Sequence, residues 1–298
     1  MKRLVVFLFL CPGILVGKLN AQPEQPEDFN FIFMTDIHLE YGRNAPAGFQ
    51  MAIDTANKLD ADFVLTGGDQ IADALEARHS RADSLNVLYG EMIRGLQMPV
   101  YNTIGNHDLY GLYRKSGADT SDSDYDRGMY ERFFGESYYS FDHKGWHFIV
   151  LNSMIDAHDK YIGYIDEEQL QWLKADLAKT DKSTPIIVSS HIPLITTYGQ
   201  LRNGALAPND PGLVVTNSRD VLLMMYEHNL KLVLQGHLHI VEYIYLQNKI
   251  RFLTGGAVSA KWWGGPLNGM EEGFMYIRLK DGDIDWEYID YGYEAKTD

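Results

Sequence analysis

Five times along this chain a short apolar run stops abruptly at a polar motif. Residues 29–34 stop at Thr35-Asp36, and 63–65 stop at Gly67-Gly68-Asp69. Residues 100–104 stop at Gly105-Asn106-His107-Asp108, 186–188 at Ser189-Ser190-His191, and 232–234 at Gln235-Gly236-His237. Short apolar runs without polar alternation describe strands buried on both faces, the kind that parallel sheets covered by helices require. Helical spacing over 49–59, 84–95, 166–179 and 218–229 supplies that cover, with Asp166 as an expected N-cap and Glu167 and Glu168 favouring the helix dipole. Runs at 138–141, 146–151, 241–246, 251–253, 274–279 and 284–288 read as antiparallel strands, the last two joined by a hairpin around Asp281-Gly282. No internal repeat or linker divides the chain, so a single α/β domain is expected.

The formal net charge of -15 argues against a nucleic-acid polymer as partner, because affinity for a phosphate backbone comes mainly from Lys and Arg. It leaves room for a small phosphorylated substrate, since bound cations reverse the local field. The N-terminus reads as an export signal over residues 1–21: Lys2 and Arg3, then an apolar stretch, then Leu19-Asn20-Ala21 for cleavage. Pro12 and Gly13 interrupt the stretch and leave it short of the roughly 18–20 residues a spanning helix needs, so no stable membrane span is expected after cleavage. The expected location is periplasmic or secreted. Residues 22–28, rich in Pro, Gln and Glu, read as a flexible lead-in. Cys11 is the one cysteine and falls within the signal, so the mature chain has neither a disulfide nor a thiolate ligand.

The chemistry sits in the five motifs. Asp36-Ile37-His38 places a carboxylate and an imidazole at alternate positions of a strand end. Asp69 follows two glycines that let the backbone bend, and its carboxylate can bridge two cations. Asn106, His107 and Asp108 put a neutral oxygen, a titratable ring and an acid in succession, which a structural turn rarely needs. His191 taken alone reads first as a hydrogen-bonded core residue. Gly236-His237-Leu238-His239 offers two imidazoles at alternate positions. Open α/β sheets place their sites at the carboxyl ends of strands, where all five motifs fall. Three oxygen and four nitrogen donors suit two first-row cations that share a carboxylate. Residues 115–127, with Asp119, Asp122, Asp124 and Asp126, begin like a calcium loop, but Gly128 and Phe133 stand at the wrong positions; a solvated loop is expected.

The order Asp-x-His, Gly-Asp, Gly-Asn-His-Asp, His, Gly-His-x-His resembles the calcineurin-like metallophosphoesterase family, over about residues 29–291. The resemblance implies a four-layer α/β/β/α sandwich, two mixed β-sheets flanked by helices. It implies two divalent or mixed-valence first-row ions, Fe, Mn or Zn. The first would be held by Asp36, His38, Asp69 and His239, the second by Asp69, Asn106, His191 and His237. His107 resembles the family's catalytic histidine, and Asp108 the carboxylate expected to fix that ring and keep it cationic. Some members carry a second Asp three residues after Gly-Asp. Here the next acid is Asp73, four along, so Asp73 is not carried over. The purple acid phosphatase branch places a Tyr ligand in its pattern; with His38 in the Asp-x-His form, that branch is not expected.

A pair of such cations, about 3.5–4 Å apart, clamps phosphate oxygens and acidifies the bridging water that attacks phosphorus, while His107 serves the leaving oxygen. Within this reaction a cyclic-nucleotide or nucleotide-type phosphodiester is the first reading, because the motif set resembles that branch, and a phosphomonoester is the alternative. A non-catalytic metal-binding scaffold is the reading from a different class, and it gives no reason for His107 beside the donors. An amide-cleaving zinc enzyme would need a His-Glu-x-x-His helix, which the chain lacks. Two segments are candidates for substrate contact. The loop 196–211 carries Tyr198, Arg202 and Asn203. The stretch between Gly255-Gly256 and Gly265-Pro266 encloses Trp262 and Trp263, whose rings either pack in the core or stack on a base. His79, His143, His147, His158 and His228 read as ordinary surface or core residues.

Overall fold

The computed structural model describes residues 26–296. The expected export signal, residues 1–21, lies outside them. Of the lead-in, the Glu27 amide donates to the Lys144 carbonyl and Asp28 Oδ1 accepts from the Asp281 amide, so its last residues are tied down.

In chain order the elements are β1 (Phe29–Met34), α1 (Ala45–Ala56), β2 (Val64–Thr66), α2 (His79–Ile93), β3 (Val100–Tyr101) and α3 (Gly128–Phe134). Then follow β4 (Tyr139–His143), β5 (Trp146–Leu151), β6 (Met154–Asp156), β7 (Tyr161–Gly163), α4 (Glu167–Leu177) and β8 (Pro185–Ser190). The chain continues through α5 (Tyr198–Asn203), α6 (Ser218–Met224), β9 (Asn229–Gln235), β10 (Glu242–Leu246), β11 (Ile250–Thr254), β12 (Gly273–Lys280) and β13 (Asp283–Asp290). One sheet runs β13-β12-β1-β2-β3 and the other β10-β11-β9-β8-β5-β4. Both are mixed: β1-β2-β3 and β11-β9-β8-β5 are parallel, and β12, β13, β10 and β4 join antiparallel.

Strand β1 explains why its sequence is apolar throughout. Phe29, Phe31 and Phe33 point between the sheets, against Phe63, Phe148, Leu232 and Leu234. Ile32 and Met34 point the other way, into the layer under α1 and α2. The second sheet does the same, with Ile187 inward and Ile186 and Val188 toward α4 and α6. The result is the expected α/β/β/α sandwich.

Helix α1 buries Ala45, Gly48, Phe49, Ala52, Ile53 and Ala56, the stripe that 3.6-residue periodicity aligns. It starts four residues earlier than its apolar pattern, because Pro46 is pre-set for a first turn. Asp166 caps α4 as expected, its Oδ1 accepting from the Gln169 amide at 2.8 Å. Helix α6 stops short of its expected end because Asn229 opens β9. Strand β3 is only two residues long. Beyond it, side chains replace the ladder: Thr103 donates its amide to Thr66 Oγ1 (3.0 Å), and its carbonyl accepts from Gln70 Nε2 (2.6 Å). The hairpin at Asp281-Gly282 forms with both residues at positive φ, 53° and 77°, as a type I′ turn demands. In the acidic loop, Asp119 and Asp122 fold back on the amides of Ser121 and Asp124, while Asp124 itself is buried against Arg132 and His79.

His147 on β5 is a local clamp at the opposite end of the strands. Its Nδ1 meets Asp142 Oδ1 at 2.6 Å and its Nε2 meets Asp176 Oδ2 at 2.8 Å, joining β4 to α4. Burial opposes the charge on this ring, but the two carboxylates outweigh it and raise the pKa. A raised folded-state pKa stabilises fully below the unfolded value near 6.5, and that contribution is lost as pH rises through the folded-state value. We therefore expect His147→Gln to cost roughly 1–3 kcal/mol at pH 6. The cost should shrink as pH is raised well above 6.5, read by thermal melts of both proteins across pH. A pH-independent deficit would refute the clamp.

Candidate metal centre

Asp36 and His38 follow β1, Asp69 follows β2, Asn106 opens a 3-10 turn after β3, His191 follows β8, and His237 and His239 follow β9. Parallel pairing within each sheet sends these ends to one edge, where the two sheets meet. Five of the seven donors sit in the left-handed backbone region: Asp36 (φ 56°), His38 (45°), Asp69 (54°), His237 (72°) and His239 (51°). Each such residue costs about 1–3 kcal/mol and persists only where its surroundings over-determine it. Here the loops lock one another. The Asp36 amide donates to the Gly68 carbonyl, the His38 amide to the Asp69 carbonyl, and Ser259 Oγ to the Asp36 carbonyl. Glycine is required where loops touch: a Cβ on Gly105 would stand 2.1 Å from the Asp69 amide nitrogen, and one on Gly68 2.4 Å from His191 Nδ1.

The side chains converge as two groups around Asp69. In the first, His38 Nε2 lies 3.0 Å from His239 Nε2 and 3.6 Å from Asp69 Oδ2, while His239 Nε2 lies 3.3 Å from Asp36 Oδ1. In the second, His191 Nε2 lies 3.0 Å from Asn106 Oδ1 and 3.2 Å from Asp69 Oδ2, and His237 stands beside it with ring centroids 5.1 Å apart. The tautomers are set from outside. His239 Nδ1 donates to the Ala260 carbonyl at 2.6 Å, and His191 Nδ1 to the Gly67 carbonyl at 2.7 Å. Each ring therefore turns its Nε2 toward the carboxylates, the arrangement that metal-ligating histidines use. Atoms so close need a proton or a metal cation between them. His237 Nε2 and His38 Nδ1 are buried without a hydrogen-bond partner. Three sets of side chains stand close enough to hold an ion, Asp36-His38-His239, His38-Asp69-His107 and Asp69-His191-His237, and with Asp69 shared between the last two the residues present fit two metal ions.

The charges agree. Burial alone would raise the Asp36 carboxyl, but the His239 ring beside it outweighs burial and holds it well below the usual carboxylate range. Burial is likewise overcome at Asp69 by His191 and His107. Burial pushes His237 down to about 4, and the neighbouring His191 adds to that. His191 goes the other way: against its burial, Asp69 and Asp36 push it up to about 9. Two buried carboxylates thus draw in positive charge.

His107 stands at the rim, 27% exposed, its ring centroid 4.9 Å from that of His38 and its amide donating to Asp69 Oδ1 at 2.8 Å. Asp108 does not touch that ring. Its carboxylate accepts from the amides of Gly105 (2.8 Å), Gln70 (3.0 Å) and Ile71 (3.3 Å), so it pins the Gly105–Asp108 turn to the Asp69 loop. The expected ring-orienting role is corrected on this point: side chains of adjacent residues diverge in a 3-10 turn. The carboxylate facing the ring is Asp73, with Oδ1 4.0 Å from His107 Nδ1. The sequence signal was there, as the first acid after Gly-Asp, but its spacing set it aside.

The two tryptophans part company. Trp263 is buried and donates Nε1 to the His38 carbonyl at 3.1 Å, so it belongs to the core. Trp262 is 39% exposed, its ring 4.5 Å from His239. Tyr198, Arg202, His237, His239 and Trp262 share a cavity of 680 Å³. Asn203 does not reach it and lines the neighbouring one with Asn209 and Asp210.

A four-layer sandwich thus carries, at its strand ends, a cluster of donors fit for two metal ions. The chain belongs to the calcineurin-like phosphoesterase family, matching it over residues 29–241. Among curated proteins it is 23% identical to purple acid phosphatase 3 of Arabidopsis thaliana over 76% of this chain and 65% of that one. It is 36% identical to purple acid phosphatase 15 of the same plant, over 35% of this chain and 17% of that one. The chain thus spans less than two thirds of the length of these relatives. These matches do not favour the expectation that it stands outside the purple branch. Among solved structures, a dimetal phosphatase from Danio rerio superposes with a TM-score of 0.60 at 17% identity, covering 90% of this chain and all of that one. GAP50, described as the anchor in the inner membrane complex of Plasmodium, superposes with a TM-score of 0.52 at 15% identity, covering 89% of this chain and 85% of that one.

Proposed function

We propose that this protein is an exported dinuclear-metal phosphodiesterase acting on a small substrate. The observation that carries the reading is a set of donors joined through Asp69 with a partly exposed ring, His107, at its edge beside His38 and Asp69. Asp36, His38, Asp69 and His239 would hold one ion, and Asp69, Asn106, His191 and His237 the other. Bound there, the ions supply Lewis acidity and an acidified water. His107 delivers a proton to the departing alkoxide oxygen, and Asp73, 4.0 Å from Nδ1 and not hydrogen-bonded to it, sets a carboxylate beside the ring. Asp108 holds the turn that carries both Asn106 and His107. A diester is favoured over a monoester because the cavity that reaches His237 and His239 has one cationic side chain on its lining, Arg202, to meet a monoester's second charge. The adjoining cavity has room for the second ester group. Export rests on the pattern of residues 1–21; among the described residues, no helix is long and apolar enough to cross a membrane.

The purified protein, loaded in turn with Mn, Fe or Zn, should hydrolyse bis-p-nitrophenyl phosphate about tenfold or more faster than p-nitrophenyl phosphate, with chelation abolishing both. A faster monoester would make it a phosphomonoesterase. Two bound ions without hydrolysis of either ester would make it a scaffold, the kind of part that GAP50's description as an anchor suggests.

A further inference from the structure

An open sheet ends in two edge strands, whose outer backbone groups pair with another chain unless something blunts them. In this sandwich three of the four edges are blunted. Strand β3 is two residues long. Strand β13 carries Asp283, Asp285, Glu287 and Asp290. Strand β4 carries Asp142, its side chain 79% exposed. The fourth edge, β10, reads Glu-Tyr-Ile-Tyr-Leu over 242–246, with no Lys, Pro or Gly. Its one acid stands at the head of the strand and is turned aside, Glu242 Oε1 accepting from the Thr197 amide at 2.8 Å. The surface around this edge is apolar. Tyr243 and Tyr245 are each 43% exposed and Leu246 40%, while Leu223 on α6 is 51% exposed and Tyr226 just after it 63%. Between them Ile195, Leu222, Ile250 and Phe252 line a hollow of 420 Å³, whose charged lining groups are Arg219 and Lys249.

The strand itself says what fits it. Antiparallel pairing of two copies about a twofold axis at Ile244 sets Tyr243 of one copy opposite Tyr245 of the other, and Ile244 opposite itself. Glu242 falls opposite Leu246, so no charge on the strand meets its like. Tyr243 and Tyr245 share one face, with Trp286 behind Tyr243 at 5.9 Å between centroids and the Arg251 guanidinium 4.7 Å over the Tyr245 ring. Ile244 and Leu246 share the other face, in the layer of Phe252. Aromatic and β-branched cross-strand pairs are the kind that stabilise an antiparallel ladder. A twofold contact has to be self-complementary, and a strand that reads Tyr-Ile-Tyr in both directions meets that condition, which a different partner would not impose. A five-residue ribbon alone falls short of the roughly 1,200 Å² that stable interfaces bury, and the patch at Leu223 and Tyr226 lies beside it to extend the contact. In a chain of net charge -15, the hollow beside β10 presents Arg219 and Lys249 and no acid, so two copies do not meet here through acidic surface.

We propose that the partner of this surface is a second copy of the chain, docked through β10 into a twofold dimer whose two six-stranded sheets run on into one. The contact braces the site as well, since β10 follows closely on His239 and Glu242 at its head holds the start of the loop 196–211. It does not depend on which ester is cleaved. Light scattering on a sizing column should give twice the mass of one chain at micromolar concentration. Tyr243→Lys combined with Tyr245→Lys should weaken the dimer about a hundredfold or more, because like charges then face each other across the ribbon, with the circular dichroism spectrum unchanged. Should that variant misfold, Ile244→Cys decides alone. On the twofold axis its thiol should close a disulfide between copies under mild oxidation. Glu287→Cys on the acidic edge β13 should not, nor should the wild type, whose one cysteine is Cys11. A monomer throughout overturns the dimer and leaves the edge to a strand of another protein. A dimer that keeps its affinity in the lysine variant and fails to cross-link at Ile244 overturns the role of β10. A mass that keeps growing with concentration overturns the twofold, because a closed pair stops at two.

Discussion

Asp69→Asn is expected to remove both metal ions and to lower kcat/KM on bis-p-nitrophenyl phosphate by about three orders of magnitude, the worth of several kcal/mol of metal assistance. Asp69 Oδ2 lies 3.2 Å from His191 Nε2 and 3.6 Å from His38 Nε2, so it is the one side chain that both donor groups share. Asparagine keeps the shape but not the anion. It is also the cleanest replacement for the backbone: Asp69 sits at φ 54°, where Asn is among the few side chains at ease, and its Oδ1 can still accept from the His107 amide. The fold should survive, read as an unchanged circular dichroism spectrum. Elemental analysis should find less than one ion per chain. Two tightly held ions with activity near wild type would remove Asp69 from the centre of the site.

The second large effect is expected at His107. Replacing it with alanine should leave both ions in place and lower kcat by about 100- to 10,000-fold on an ester with a poor alkyl leaving group. On a p-nitrophenyl ester the loss should be much smaller, because that leaving group needs no proton. Equal losses on the two esters would refute a proton-donor role. Loss of an ion would make His107 a ligand instead, an outcome its closeness to His38 and Asp69 makes worth measuring. Asp73→Asn should lower kcat about tenfold on the alkyl ester, the low end for a residue that acts through another. Its effect should vanish in the His107→Ala background.

Much of the site was legible because strand ends are legible. A buried parallel strand has to be apolar throughout, so a run such as 29–34 announces both itself and its polar end at Asp36. The five runs fall on β1, β2, β3, β8 and β9. The cap at Asp166 and the turn at Asp281-Gly282 were legible for a similar reason: each depends on chemistry within four residues. What depends on distant partners was not. The short strands β6 and β7 carry no periodic signal. Gln169 is buried because it makes strand-like bonds to the Asn152 backbone, a partner that sequence distance hides. Trp262 and Trp263 are identical letters side by side, and only the carbonyl of His38, on another loop, decides which of them goes inside.

The chain's own pattern determined the α/β class, the family and the seven candidate donors, since residue type and strand-end position are local properties. Tertiary structure decided how those donors are used. It set which histidine nitrogen turns inward, through the carbonyls of Gly67 and Ala260. It turned Asp108 to the backbone and put Asp73 behind His107. It brought Trp262 and Arg202 to one cavity. The physical reason is the same in each case. A side chain's direction depends on the backbone angles of its loop, and those loops hold left-handed conformations that only their mutual hydrogen bonds sustain.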